Sequence, residues 1–562
     1  MESFKSAFRF LCFITLVCAI GCQSKKSSPP QLVDIDLRRG DVVLCSGDQF
    51  GDVSFSLACK YSTRENFDLA VSLLHSFEHE EAEKAFVKVL DEDPDCSMAY
   101  WGLAMCKIGH PKWAPSQADF EQGLKILEVA KALPKTFREQ DYLNAVSAYY
   151  DYKEEYDKSD HRVRSQKMEQ KMGEIYAKYE DDKEAAILYA LALFSTADPK
   201  DKTYSSRKKA GQILESIFPD QPNHPGIAHY IIHNYDNPVL AHMALNSARN
   251  YARIAPASAH AQHMPSHIFT RLGLWDESIQ SNINSASSAV CYTQELAMEG
   301  HLGDETHAMD YLVYAYLQQG DNERANEQYE HLNTITKVHY ASSPYNLWAI
   351  PARIVLENKQ WEAAAKLEIH ETNFQLEQFP WEKSIIHFTR LLGLAHAGKL
   401  AAAEVELKNL QKLQQELVDQ NEQYEADQVM IQVISSLAWI QFAKGNKEQA
   451  IVRMIEAADM EDNTEKHPIT PGEVLPAREL LGDMLLAMNK PAQALEAYEL
   501  DLKGHPNRFN GIYGAAIAAK GVGDLEKATS YFQDLLKLVG TTESDRQEVE
   551  EARRFVEQMR QI

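Results

Sequence analysis

Beyond residue 22 this chain has no long apolar run. No segment reaches the roughly 18 consecutive apolar residues that a membrane-crossing helix requires. Basic residues are in deficit, with 57 Lys and Arg against 82 Asp and Glu and a net charge of −25. Such a surface repels polyanions, so a nucleic-acid partner is not expected. Sustained period-two alternation is missing, which excludes a sheet domain. The strings H-E-x-x-H, C-x-x-C-H, G-x-x-x-x-G-K-[ST] and G-x-S-x-G are also absent, and no catalytic residue is assigned. Cysteine is scarce, eight in 562 residues, so this is no disulfide-built scaffold.

The N-terminus holds the one apolar run. Lys5 and Arg9 precede Phe10 to Ile20, which has the length of a secretory h-region. It ends Ala19-Ile20-Gly21-Cys22, similar to the bacterial lipobox, with Ala19 where leucine is usual. Small residues flank the bond to be cut, and the Cys22 thiol would take the lipid. Gln23 to Pro30 reads as a polar tether. An ordinary signal cut elsewhere is the other reading. The expected location is exported and lipid-anchored, with the lipid as the only membrane contact. Gln23 after the anchor points to the outer membrane, facing the periplasm, in a two-membrane cell. Cys45, Cys59, Cys96, Cys106 and Cys291 remain after processing. Cys45–Cys59 is the local disulfide candidate, and the odd count leaves a free thiol.

What is present is a repeat. Leu481, Gly482, Ala494, Tyr498 and Pro506 fit positions 7, 8, 20, 24 and 32 of the 34-residue tetratricopeptide (TPR) unit. Ala528 and Phe532 continue that register one unit later. Leu69, Ala70, Ala82, Phe86 and Pro94 form an N-terminal copy, continued by Tyr100, Leu103 and Ala104. Segments 117–133, 137–156, 161–178 and 184–196 are amphipathic with helical period, and further pairs centre on Trp275, Ala325, Trp361, Ala403 and Ala450. The predicted fold is all-α, a right-handed superhelical array of TPR-type helix pairs, because one pair cannot bury its apolar face alone. The predicted divisions are a signal over 1–22, a tether and extended segment over 23–62, and arrays over 63–220, 221–345 and 346–562.

Residues 224–307 hold nine of the twenty histidines. Two His-x-x-x-His pairs stand out, His229/His233 and His263/His267. A four-residue step puts two imidazoles on one helical face, a spacing suited to metal. With Ala244 at position 20, Tyr235 and Pro256 fall at 11 and 32. His229 and His263, 34 residues apart, then both occupy position 5, and His233 and His267 both occupy position 9. These positions resemble the ligand-holding face of TPR grooves, so four imidazoles are expected on one concave wall. His260 and His307 fall at position 2, and with Asp310 they are further ligand candidates; Tyr314 is at position 9. Imidazole without thiolate suits Zn, Cu, Ni or Fe and not calcium. A hydrogen-bonded structural cluster and a pH-responsive cluster remain alternatives.

His75-Ser76-Phe77-Glu78-His79 matches H-x-x-E-H. Its place at the turn between two helices denies it the continuous helix that motif needs. Acidic pairs such as Glu80/Glu81 read as solvated faces. Thr470-Pro471-Gly472-Glu473, with His467, reads as a linker that could reach over the groove.

Leu74-His75-Ser76-Phe77, Asp93 to Gly102, the histidine motifs running to Ile268, Pro471 to Glu479, Asn507-Arg508-Phe509 and Tyr513-Gly514-Ala515 carry a resemblance to a family of exported bacterial TPR proteins. It spans about residues 50 to 540 and implies the helical repeat fold without bringing a reaction. It also implies that His75, Trp101 and the four paired histidines share one design; His75, Trp101 and Tyr314 are groove candidates. Two functions follow: a tethered scaffold holding a protein or peptide partner in a histidine-lined groove, or an extracytoplasmic metalloprotein or metalloenzyme built on the histidines. Cys22→Ser is expected to leave an uncleaved or mislocalised precursor. Labelling of the variant by a fatty-acid probe at the wild-type level contradicts the anchor.

Overall fold

The computed structural model describes residues 35–45, 49–151, 156–339, 344–465 and 467–561. The signal, Cys22 and most of the tether lie outside them. The chain is an all-helical array of stacked helix pairs. In order the helices are α1 (Arg64–His75), α2 (His79–Glu92), α3 (Ser97–Ile108), α4 (Gln117–Lys131), α5 (Phe137–Tyr150), α6 (His161–Lys178), α7 (Lys183–Thr196), α8 (Ser205–Ile217), α9 (Pro225–Tyr235), α10 (Ala241–Ile254), α11 (Ala259–His263), α12 (Pro265–Arg271) and α13 (Trp275–Glu295). There follow α14 (Gly303–Gln318), α15 (Asn322–Leu332), α16 (Tyr345–Glu357), α17 (Trp361–Ala364), α18 (Pro380–His396), α19 (Leu400–Asp419), α20 (Gln423–Ala443), α21 (Lys447–Asn463), α22 (Ala477–Ala487), α23 (Pro491–Gly504), α24 (Phe509–Val522), α25 (Leu525–Val539) and α26 (Gln547–Gln561). Among the described residues, strand is confined to His301–Leu302 (β1) and Val338–His339 (β2), a short parallel pair.

Local chemistry sets the boundaries. Asp182, Ser258, Asp321 and Asp524 cap helix starts with their side chains, and Thr136 with Glu139 forms a capping box. The turn inside a pair needs one left-handed residue. Gly273, Gly320, Gly398, Gly445, Asn489 and Gly523 supply it, and Phe77 and Lys359 adopt it against their preference. The repeat register has a steric cause at Tyr498, whose ring lies between Gly482 and Gly514. A Cβ at either glycine would come within 2.6 or 2.3 Å of that ring.

The apolar residues form two cores, one from Ile35 to Phe269 and one from Trp275 to Val556. Each half folds back on itself, α1 packing on α9 and α14 on α24. Residues 35–45 and 49–60 cross the first half as extended segments outside any sheet. Carboxylates take their backbone N–H groups instead: Glu83 accepts from Arg38, Glu81 from Val43, Glu139 from Ala58 and Asp93 from Lys60. Glu81 is therefore buried rather than part of a solvated face. The disulfides also differ from the local expectation. Cys45 joins Cys291 and Cys59 joins Cys96, because the extended segment runs past α13 and α3; Cys106 is the buried free thiol.

Residues 467–476 are not a free linker. Arg271 donates to the carbonyls of Thr470 and Pro471, Arg353 to those of Gly472 and Glu473, and Tyr311 to that of Ile469. This strap fills the concave side of the second half. His505 bridges Glu473 and Asp501 at 3.1 and 2.9 Å. Burial alone would lower its pKa, but Asp501 and Glu473 outweigh burial and hold it well above its ordinary value.

Gly482→Leu is expected to cost ~1–3 kcal/mol by overpacking, with protection from hydrogen exchange lost in α22–α25 and kept in α1–α5; uniform loss contradicts the register. Because the folded pKa of His505 is raised, its contribution is full below about pH 6.5 and disappears as pH rises through the folded value. Exchange protection of the strap, corrected for intrinsic rates, should therefore fall on alkalinisation. His505→Ala should show the weakened strap already at neutral pH.

Candidate functional site

The paired histidines belong to two groups, not one. His229 and His233 on α9 meet His260 on α11, and His263 on α11 and His267 on α12 meet His307 on α14. In each group three ligand atoms lie within 4.8 Å of one another. The groups have one recipe, the imidazoles at positions 5 and 9 of one repeat with the position-2 imidazole of the next. Their ring spacings agree: 4.6, 4.9 and 6.1 Å in the first, 4.9, 4.3 and 6.4 Å in the second. The four-histidine convergence expected from the sequence divides because each position-5/9 pair meets the next repeat's position-2 histidine. His260 and His307 thus complete the two groups. Asp310 does not join them; it is buried against Arg353 at 2.8 Å.

Hydrogen bonds fix the tautomers. Asn282 Nδ2 donates to the Ser278 carbonyl, so its Oδ1 faces His263 and must accept from His263 Nδ1–H at 2.7 Å. The Asp236 carboxylate accepts from His267 Nδ1–H at 2.8 Å and from Arg271. With both Nδ1–H groups donating, the Nε2 lone pair of neutral His263 faces His267 Nε2 at 3.0 Å. That approach needs a cation, either a metal ion between two lone pairs or a proton on His267 Nε2 balanced by the Asp236 carboxylate. In the first group His229 Nδ1–H donates to the carbonyl of His75 at 2.6 Å, and its Nε2 is 3.0 Å from His260 Nε2. His233 Nε2 is buried without a hydrogen-bond partner.

Burial and neighbouring imidazoles hold His229, His233, His260 and His263 well below their ordinary pKa, and burial takes His307 down to about 3. These rings are neutral at physiological pH, the state a metal ligand needs. Burial alone would raise Asp236, but Arg271 and His267 keep its carboxyl well below the usual range. Such a carboxylate–imidazole contact orients a ligand and strengthens its basicity.

Both groups open on one cavity of about 1000 Å³, counting its mouth. It lies where the two cores meet. His110, after α3, and His467, in the strap, face it together with Trp113, Tyr345, Trp381 and Met264. Both additional rings are neutral: burial, then His260, lowers His110, and burial takes His467 down to about 3.

The remaining histidine groups are satisfied differently. Glu184 accepts from His75 Nε2–H at 3.0 Å and His224 Nε2–H at 2.8 Å, and Tyr230 meets His75 Nδ1 at 2.9 Å. His75 is therefore no groove residue; it is fully buried, and its carbonyl orients His229. Trp101 is also away from the groove, packed against Phe55 and Tyr142. Tyr314 does lie on the inner side, but Arg508 bonds its hydroxyl and the strap residue Gly472 covers it. His75-Ser76-Phe77-Glu78-His79 spans the α1–α2 turn, as the sequence indicated. Sequence reasoning missed His110, Asp236 as the orienting carboxylate, Asn282 and Phe77. Asp236 lay three residues beyond His233 and Asn282 lies on the second helix of His263's own repeat, 19 residues on; His110 and Phe77 arrive from distant repeats.

No protein-family model and no curated protein matches the chain. Among solved structures, two IFIT1 monomeric mutants align with it, one bound to m7Gppp-AAAA and one to Gppp-AAAA. Identities are 12% and 13%, each alignment covers 86% of this chain and 98% of the other, and the TM-scores are 0.32 and 0.33. At those scores the likeness carries no argument about function.

Proposed function

We propose that this protein is an exported, lipid-anchored metalloprotein whose TPR-type array is a rigid cage for two three-histidine transition-metal centres on one cavity. The observation that carries this reading is the His263–His267 pair, two Nε2 atoms 3.0 Å apart with both Nδ1–H groups donating elsewhere. A bound zinc ion at ~2.0–2.1 Å from each nitrogen would make that approach attractive. A shared proton is the competing cation: burial and His307 disfavour it on His263, whereas His267 lies beside the Asp236 carboxylate, and metal content decides between the two. The repetition of the same trio one repeat earlier supports the reading further. Three neutral nitrogens and no thiolate suit Zn, Cu, Ni or Fe, and three protein ligands leave a coordination position towards the cavity.

The scaffold reading takes a narrower form. The strap and the Arg508–Glu357–Glu479 network occupy the inner face of the second half, so a protein or peptide partner would engage outer surfaces. Two disulfides suit an oxidising compartment and support export. No helix among the described residues is long and apolar enough to cross a membrane; the proposed attachment is the lipid on Cys22.

Elemental analysis of the purified mature protein is expected to give two transition-metal ions per chain. His229→Ala/His233→Ala and His263→Ala/His267→Ala should each retain one, and the combination none. Metal-free wild-type protein that stays metal-free after incubation with Zn²⁺, Cu²⁺, Ni²⁺ and Fe²⁺ sinks the proposal. So does full metal content in the combined variant.

A further inference from the structure

We propose that the cavity facing the two histidine groups binds a small aromatic molecule carrying an anionic oxygen, which coordinates a metal ion and accepts hydrogen bonds from His110 and His467. This rests on the metal reading above and specifies the ligand class of that site.

The argument begins with proton positions. The Lys112 backbone N–H donates to His110 Nδ1 at 3.2 Å, and the Ile469 backbone N–H donates to His467 Nδ1 at 3.2 Å. An Nδ1 that accepts leaves a neutral ring with its proton on Nε2. His110 and His467 therefore have the tautomer opposite to that of His229, His263 and His267, whose Nδ1–H groups donate. The cavity thus has two kinds of imidazole: rings with lone pairs for a metal, and rings with an N–H. The Nε2–H groups of His110 and His467 have no acceptor among the described residues. Both rings are part-exposed at the cavity wall, so a ligand oxygen can take these N–H groups in place of water.

The walls indicate the rest of the ligand. Trp113 packs on His110 at 3.8 Å between ring centres, Trp381 on His467 at 4.8 Å, and Tyr345 on Trp381 at 4.8 Å. Each N–H donor is thus backed by an indole, and a third aromatic extends the surface. Flat π-faces beside directed donors suit an aromatic ring with a polar edge. Trp113 is 40% exposed, an unusual state for tryptophan in this chain, and forms part of the mouth. No Lys or Arg lines the cavity among the described residues, whereas Asp304 does, as does Asp310, which is paired with Arg353. An anionic oxygen would therefore lack a counter-charge unless a metal ion provides it, and binding must depend on metal.

The test uses 4-nitrocatechol, whose absorbance reports coordination of its phenolates. Metal content is measured on every sample. Metal-loaded wild type is expected to bind the probe at least about tenfold more tightly than metal-free protein, the effect of one good charge-assisted interaction. His110→Phe and His467→Phe remove an N–H while keeping a ring, and each should weaken binding about tenfold with metal content unchanged. Benzoate should displace the probe, and cyclohexanecarboxylate should do so much less well. Metal-loaded protein that binds 4-nitrocatechol no better than metal-free protein overturns this inference alone. So do two histidine variants that bind like wild type, and equal displacement by cyclohexanecarboxylate overturns the aromatic assignment. Protein that takes up no metal overturns both this inference and the function on which it rests.

Discussion

The inner face of a helical array that folds back on itself is cut off from water, so every polar group placed there must find a partner inside the protein. This constraint organises the molecule. In the second half the solution is a set of buried ion pairs. Arg353 meets Asp310 and two strap carbonyls, while Arg508 meets Glu357, Glu479 and the Tyr314 hydroxyl. Such a network is weak evidence of net stability, because desolvation offsets much of the attraction. It does specify one arrangement, since displacing the strap would take two carbonyl acceptors each from the buried Arg271 and Arg353. A surface that could have been an open peptide groove is therefore a filled interior.

The same constraint separates structural histidines from candidate ligands. His75 and His224 share Glu184, and every hydrogen bond of that carboxylate is met by a ring N–H. Burial alone would raise Glu184, yet His224 and His75 hold its carboxyl well below the ordinary range. The carboxylate of that group is fully used without an ion, while His224 Nδ1 is left without a partner. In the His263–His267 pair Asn282 and Asp236 accept the Nδ1 protons, so the Nε2–Nε2 contact needs an added cation, a metal ion or a second proton on one ring. Two histidine groups in one protein, both buried and one spanning elements as distant as α1 and α9, thus differ in what joins their rings, a carboxylate in one and an added cation in the other. Sequence spacing cannot show that difference.

Much of the fold was legible in the sequence because helix pairs write their contacts locally. Gly482 with Tyr498, and Ala70 with Phe86, report touching helices within one repeat, and helix positions in the degenerate middle followed from apolar period. The histidine register was legible for the same reason, including the position-2 histidines as neighbours of the paired ones. Its division into two groups was not, since that depends on how far one first helix is displaced from the next. The disulfides and the strap were hidden by sequence distance. Cys45 and Cys291 are separated by 246 residues, and Arg271 reaches Pro471 across 200. Neighbouring residues announce neither contact. The proximity of Cys59 to Cys45 in sequence favoured the wrong pairing.

Phe77 shows how the repeat was adapted to hold the site. Its φ of 59° places it in the left-handed region that glycine or asparagine occupies at most equivalent turns. A phenylalanine there costs about 1–2 kcal/mol relative to right-handed backbone. The return is in its ring, which lies 4.5 Å from His229, 5.4 Å from His233 and 5.6 Å from His260 between centres. It forms an apolar floor against all three imidazoles of the first group and also touches His110 at 5.1 Å. Glycine would satisfy the turn but leave space into which those rings could rotate. The residue two positions earlier, His75, gives its carbonyl to His229. One inter-helix turn of the first repeat therefore both orients and backs a cluster whose imidazoles come from α9 and α11. Strained backbone that persists because surrounding packing demands it is expected at a functional site rather than in a passive spacer.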